Sequence, residues 1–429
     1  MKTYLAGMAL AVVSVVAQAQ SVQPHVVVLR AARMLDAASG KVVSPGLVVV
    51  SGDRIMAVGG ALPASAIGAE VIDLGDRTLM PGLIDAHVHL FLHPGAEGLQ
   101  TVEESVPQRV ILAELAAKAD LMAGFTAERD MGTEGAGSAS TAIRKAIDAG
   151  LIPGPRMRMS GNAIDILGGH EDAIGYNPTA NVPSNADYAN SAEDLVRVMR
   201  LQQKEGADFA KIYETGPDTL KNGVLTTPYQ YTEAELHAAV VEMARLSGGA
   251  MGVAVHCTGE PAAGYAVAAG VASIDHAFYL GDKTMAEMMT KQIYAVPTFT
   301  IVEYFGAHSE TAAISAWNKD MQAFHAAQFK RQLAAGVPFA VGSDVGPFPH
   351  GTQAREMELM VQYGMAPTDV LRADLLNGAK LLGWAGQIGE LKAGYYADVI
   401  AVEGNPLVVI SSLEKVGFVM KGGTVYRKP

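Results

Sequence analysis

One cysteine, Cys257, stands among 429 residues, so no intrachain disulfide can staple the fold and stability must come from core size. Its expected role is that of a small buried filler, although His256 beside it gives it a metal-capable neighbour. Charged residues are scarce at 18%, whereas apolar residues make up 49%, a balance that excludes disorder and supplies a large core. Positive charge is the scarcer sign, 32 Lys and Arg against 44 Asp and Glu, for a formal net charge of −12. Such a surface disfavours nonspecific binding to nucleic acid or to an anionic membrane. Beyond the first twenty residues no apolar run is long enough for a membrane-spanning helix, and there is no short-period repeat or low-complexity tract.

What is present begins with "MKTYLAGMALAVVSVVAQAQ": one lysine, an apolar run from Leu5 to Ala17, then Ala17-Gln18-Ala19. A charged start, a short apolar stretch and a small-residue cleavage site are the parts of a secretory signal peptide. Residues 1–19 are expected to be removed near Ala19 and the protein to be secreted or periplasmic in a bacterium, with no membrane attachment afterwards.

Short β-rich runs broken by Gly and Asp turns occupy Val26 to Asp76 and return near the far end, in "ADVIAVEGNPL" and "KVGFVMKGGTVYRKP". This patterning predicts a small β-sandwich built from both chain ends, residues 20–82 plus 388–429. Between them, over 83–387, strand-like and helix-like segments alternate, which predicts parallel β/α units. The candidate strands are "LIDAHVHL", "FTAERDMG", "RMRMSG", "FAKIYETG", "GVAVHCTG", "SIDHAF", "IYAVPTFT" and "PFAVGSDVG". Eight such units predict an α/β fold of the (β/α)8 barrel type, with the active site at the C-terminal strand ends.

Metal-capable residues end strand after strand. The first delivers His87 and His89, which alternation puts on one face within reach of one ion. The fourth delivers Lys211, the fifth His256, the sixth His276 and the eighth Asp344. Taken singly, a histidine is more often structural than a ligand; five strand ends carrying such groups are hard to obtain by chance. Lys211 is the odd member, an ammonium inside an apolar run where burial is expensive unless the charge is paired or removed. It could instead snorkel out of the barrel mouth, and Asp344 could merely cap a helix.

With these residues in place the chain resembles the amidohydrolase superfamily, from about Val26 to Lys428, through "LMPGLIDAHVH", "GFTAERDMG" and "AGYYADVIAVEGNPL". "PHGTQAREMELMVQYGMAP" is similar to the branch that groups imidazolonepropionase-like proteins with Xaa-Pro and Xaa-Arg dipeptidases and ochratoxin-hydrolysing amidohydrolases. The resemblance implies two divalent metal ions, zinc by default, with manganese or cobalt as substitutes. It assigns His87, His89 and Asp344 to one ion and His256 and His276 to the other. Lys211 would bridge them as a carbamate made with carbon dioxide, since a free ammonium has no lone pair to offer. Asp344 would be the catalytic proton carrier. The mononuclear deaminases and imidazolonepropionases lack that lysine, so Lys211 points to the dipeptidase and carboxypeptidase side.

By the same resemblance His170, in "LGGHED", and Tyr231, in "YQYTEAEL", would contact the substrate and its terminal carboxylate. Arg129 and Asp130 are expected to form an ion pair near the end of the second strand. His350 is expected at the pocket rim, His308 and His325 on helical surface, and His25, His93 and His237 away from any metal. Phe299, Tyr304 and Phe305 are expected near the mouth, where they would favour an apolar side chain, or else simply in helix packing. Together these point to hydrolysis of the amide bond to a C-terminal amino acid in dipeptides or N-acyl amino acids, ochratoxin A being one such amide. The alternatives are a cyclic-amide hydrolase or deaminase of the same superfamily, and a noncatalytic binding protein on the same fold. A homo-oligomer, of octameric size in related dipeptidases, is the expected assembly.

Overall fold

A computed structural model of the chain describes residues 25–95, 97–177, 179–309 and 311–429; the expected signal peptide lies outside the described residues. The architecture is mixed α/β. Leu83–Val88, Phe125–Asp130 and Arg156–Met159 form one parallel sheet. Ala163–Asp165, Ala210–Tyr213, Val253–Cys257, Ser273–His276 and Tyr294–Val296 belong to a second, with Ala186–Tyr188 on its edge. Every residue of Ala210–Tyr213, Val253–Cys257 and Ser273–His276 is buried. That is the mark of parallel strands covered on both faces, and it explains their near-continuous apolar runs.

Helices between the strands are bounded by local chemistry. Glu233–Ser247 starts at a capping box made by Thr232 and Glu235 and stops at Gly248, whose φ is +63°. Ala192–Glu205 starts at Ser191, whose side chain accepts from the Asp194 N–H, and stops at Gly206 with φ +106°. Among the described residues no helix is long and apolar enough to cross a membrane.

Two of the expected strands are built differently from the expectation. The third is split: Arg156–Met159 pairs with Phe125–Asp130, the chain then turns at Gly161 (φ +77°), and Ala163–Asp165 pairs with Ala210–Tyr213. The eighth, "PFAVGSDVG", forms no continuous ladder. It runs between Tyr294–Val296 and Leu83–Val88 through two isolated bridges, Ala295 with Phe339 and Val88 with Val345. Backbone bonds pin it on both sides: Ala295 N–H to Pro338 O at 2.9 Å, Ala340 N–H to Ala295 O at 3.0 Å, Ala86 N–H to Val341 O at 2.9 Å, Asp344 N–H to His87 O at 2.8 Å and His89 N–H to Val345 O at 2.8 Å. The passage is narrow. A Cβ on Gly342 would come within 2.4 Å of Val296 Cγ1 and 2.8 Å of His87 Cβ, so glycine is the residue that lets the strand ends close up.

The two chain ends meet in one six-stranded sheet, in which Val399–Glu403 pairs antiparallel with Arg77–Pro81. A four-stranded sheet containing Val26–Ala31 and Gly46–Ser51 packs on it, with Leu29, Val48 and Val50 facing Leu79, Val399 and Phe418 in a common core. Cys257 is fully buried in the main core, where its thiol is pushed up by burial.

Candidate active site

A cavity of about 160 Å³ opens at the C-terminal ends of the parallel strands, and His87, His89, His170, Lys211, His256, His276 and Asp344 all line it. Six strand ends that are far apart in sequence thus converge on one space.

Three of these groups are spaced for a single ion. His87 Nε2 and His89 Nε2 are 3.2 Å apart, and each is 3.3 Å from Asp344 Oδ1. Ligand atoms about 2.1 Å from a tetrahedral ion stand about 3.4 Å from one another, so the triangle has the size an ion requires. His276 lies close enough to join, its Nδ1 being 3.9 Å from Asp344 Oδ2 and its ring 5.2 Å from that of His87. The outer nitrogens of these rings are held from behind: His89 Nδ1 meets Glu134 Oε1 at 2.8 Å, and His276 Nδ1 meets Thr298 Oγ1 at 2.8 Å. Such contacts select the tautomer that presents Nε2 to the cavity. Glu134, His276 and Asp344 have left-handed backbones, with φ of +48°, +75° and +63°.

Two further groups on the cavity wall stand without a hydrogen bond. Lys211 Nζ is buried and has no hydrogen-bond partner among the described residues, and His256 Nε2 is in the same condition. The His256 ring is 4.3 Å from His276. Burial lowers the Lys211 amine although Asp275 and Asp344 oppose it, and burial holds His256 and His276 well below the usual imidazole range. Neutral imidazoles and an unprotonated amine are the forms that bind a metal or react with carbon dioxide. Burial also works against ionisation of Asp344, yet the His87 and His89 charges hold its carboxyl well below the usual range. An orphaned amine, an orphaned imidazole nitrogen and an ion-sized triangle of ligands fit a metal centre at this spot.

His170 is at the mouth, stacked on Tyr213 with ring centroids 5.1 Å apart. Tyr231, expected beside it, is not at the site. Its side chain is 1% exposed within the main core, and its hydroxyl donates to Ala189 O at 2.9 Å, so no donor is left for a substrate. The tyrosine that does line the cavity is Tyr213, on the Lys211 strand itself. Of the three aromatic residues expected near the mouth, Phe305 lines the cavity with Ile301, while Phe299 is buried against Phe329 and Tyr363, and Tyr304 stacks on His308.

Other expectations are corrected by the geometry. Arg129 does not pair with Asp130, because neighbours on a strand face opposite ways. It donates instead to Ala86 O at 2.7 Å, Ser273 Oγ at 3.1 Å and Asp275 Oδ1 at 3.1 Å, and Asp130 accepts from the Leu90 N–H. His325 is buried between Phe278 and Phe299 rather than on a helix surface. His350 is not among the residues lining the cavity and meets Asp120 Oδ2 at 2.8 Å. His93 pairs with Glu104 at 2.7 Å, and His308 is exposed. Glu97, Glu134 and Glu171 also line the cavity and were not anticipated; they sit on loops or a helix start whose course no periodicity announces.

Comparison with known proteins agrees with this geometry. A profile of the amidohydrolase family matches residues 78–427. Ochratoxinase of Aspergillus niger is 30% identical over 385 residues, spanning 82% of this chain and 76% of the relative. Imidazolonepropionase of Micrococcus luteus is 25% identical over 391 residues, spanning 84% and 88%. Among solved structures, a Xaa-Pro dipeptidase with methionine bound in its active site superposes with a TM-score of 0.83 at 29% identity, covering 94% of this chain and all of that one. The A. niger ochratoxinase structure gives a TM-score of 0.79 at 25% identity.

Proposed function

The chain belongs to the amidohydrolase family and is a hydrolase of amide bonds; from that premise we propose that it cleaves the amide joining an acyl group to a C-terminal amino acid, in dipeptides or N-acyl amino acids. The observation that carries this reading is Lys211, a fully buried amine over the Tyr213 ring with no hydrogen-bond partner among the described residues, set among histidines spaced for metal. Similarity to a Xaa-Pro dipeptidase and to ochratoxinase supports the substrate class, and ochratoxin A itself, an acyl group on phenylalanine, is a candidate substrate.

The parallel strands and the hydrogen bonds along Ala340–Val345 support a closed (β/α)8 barrel over 83–387, and the shared sheet supports an accessory β-sandwich from 20–82 plus 388–429. Two divalent ions, zinc by default, would be held by His87, His89 and Asp344 on one side and His256 and His276 on the other, with Lys211 as a carbamate between them. When bound, they would supply a nucleophilic water at neutral pH and a Lewis acid for the scissile carbonyl. Asp344 takes the water's proton on a carboxylate oxygen and returns it to the leaving amine, a base in the first step and an acid in the second. Glu134 and Thr298 keep His89 and His276 turned inward throughout. At the mouth, His170 donates from its ring to the substrate. Export as a secreted or periplasmic enzyme, and assembly as a homo-oligomer, complete the proposal.

The test is mass spectrometry of products from the zinc-loaded full chain and its Asp344→Asn variant, with a panel of dipeptides, N-acyl amino acids and ochratoxin A. Free C-terminal amino acids from the wild type, with turnover lost and metal retained in the variant, are expected. Ammonia release or ring opening without amino acids would move the protein to the deaminase or cyclic-amide class. Unchanged turnover in Asp344→Asn would sink the mechanism.

A further inference from the structure

The chemistry above employs Asp344, the histidines and Lys211, with Glu134 holding His89, and leaves two carboxylates of the same cavity, Glu97 and Glu171, without a task. Glu97, Glu134 and Glu171 line its wall, which carries no arginine and no lysine other than Lys211. Glu134 is 2% exposed and has one oxygen committed to His89. Glu171 accepts from the Asn185 amide at 3.3 Å and lies beside the Tyr213 phenol. Glu97 Oε1 is buried with no hydrogen-bond partner among the described residues.

Position adds a second observation. Glu97, His170, Glu171 and Asn185 also line a larger outer cavity of about 340 Å³, so the carboxylates stand where the reaction chamber opens into it. The one further acid of that outer wall, Asp172, is already engaged by the Tyr188 hydroxyl and by the Gly168 N–H. Glu171 is met by the Asn185 amide and the Tyr213 phenol, neither of them a cation, and Glu97 Oε1 has no such donor among the described residues. Burial, then the charge of Glu171, push Glu97 up to about 8. Carboxylates crowded in a partly dry throat repel one another, and a cation placed among them relieves both the repulsion and the missing hydrogen bond.

We infer that Glu97 and Glu171, with Glu134 behind them, form a subsite for a cationic nitrogen on the acyl side of the substrate, so that a dipeptide with a free α-ammonium is selected over an N-acyl amino acid of the same shape. This rests on the amide hydrolysis proposed above. In a simple dipeptide the α-ammonium is the one cation, and it is borne by the carbon next to the scissile carbonyl. The carboxylate of the leaving half is repelled by the same wall, which orients the substrate with its ammonium toward the throat.

Glycyl-phenylalanine and N-propionyl-phenylalanine differ only in an ammonium against a methyl, and both release phenylalanine. Their kcat/KM values are measured with the zinc-loaded full chain and with a Glu97→Gln/Glu171→Gln variant. A preference of about tenfold or more for glycyl-phenylalanine is expected, as from a charge-assisted hydrogen bond, with the ratio moving at least severalfold toward parity in the variant. Equal or faster hydrolysis of N-propionyl-phenylalanine by the wild type overturns the subsite while leaving the amidohydrolase reading in place, and needs no variant to fold. A ratio unchanged in the folded variant also overturns it. Absence of phenylalanine from both substrates overturns the amide-hydrolysis reading, and this inference with it.

Discussion

Arg129 and Lys211 are basic residues on parallel strands of this protein, 1% and 0% exposed, and their surroundings could hardly differ more. The Arg129 guanidinium donates to a backbone carbonyl, a serine and a carboxylate. It returns the favour to Asp275: burial works against that carboxylate, and Arg129 holds it below the usual range all the same. Lys211 has no hydrogen-bond partner among the described residues. A buried ion costs several kcal/mol unless its partners compensate, so the first is a settled part of the scaffold and the second is unfinished. That difference is why the proposal above gives a ligand's task to Lys211 and a structural one to Arg129.

This contrast can be broken at either end. The largest effect is expected from Lys211→Met, which should remove amide hydrolysis, a fall of at least about 10³-fold for loss of a group central to the site. Elemental analysis should show metal content falling with it. The metal-free variant should melt no lower than the metal-free wild type, because a partnerless amine has been exchanged for an apolar chain of similar length. A lower melting temperature there would mean that Lys211 is as settled as Arg129. Next comes Arg129→Met, expected to destabilise the protein by about 3–5 kcal/mol in denaturant unfolding, since Asp275 is left buried and uncompensated. A change below about 1 kcal/mol would erase the distinction. The smallest effect is expected from Tyr231→Phe. Loss of its hydrogen bond to Ala189 O should cost about 1 kcal/mol of stability and leave kcat/KM for any hydrolysed dipeptide where it was; a large fall in kcat/KM would return Tyr231 to the substrate site.

The metal-capable residues were legible because their signals are local. His87 and His89 lie two apart on a strand, and alternation alone aims them together. Lys211 announced itself by interrupting an apolar run. The converging strand ends followed from the β/α rhythm of the chain. The rest depended on geometry that periodicity does not carry. Glu134 reaches His89 because its own backbone is left-handed and its neighbour Gly132 leaves room, a Cβ there falling 2.7 Å from Glu134 Oε1. Tyr213 and Tyr231 are both plausible phenols by distance along the chain; only the fold tells that one faces the cavity and the other spends its hydroxyl on Ala189. The pairing of Arg129 with Asp130 was avoidable, since adjacent strand residues point to opposite faces. His325 was misplaced because the long helix Ala312–Ala335 carries polar residues inward as well as outward, Asn318 and Gln332 among them.

The left-handed turn at Asp344 also governs how this site can be altered. With φ at +63°, most side chains meet a steric penalty of about 1–2 kcal/mol, whereas asparagine, like aspartate, visits this region readily. Alanine at this position would therefore change the chemistry and the local path of the chain together, displacing the Asp344 N–H that holds His87 O. Asparagine changes the chemistry alone. The same restriction narrows the routes open to natural variation: a chain that abandoned hydrolysis while keeping its shape would pass first through asparagine or glycine at 344, and relatives carrying either residue there are where a binding protein descended from this hydrolase should be sought.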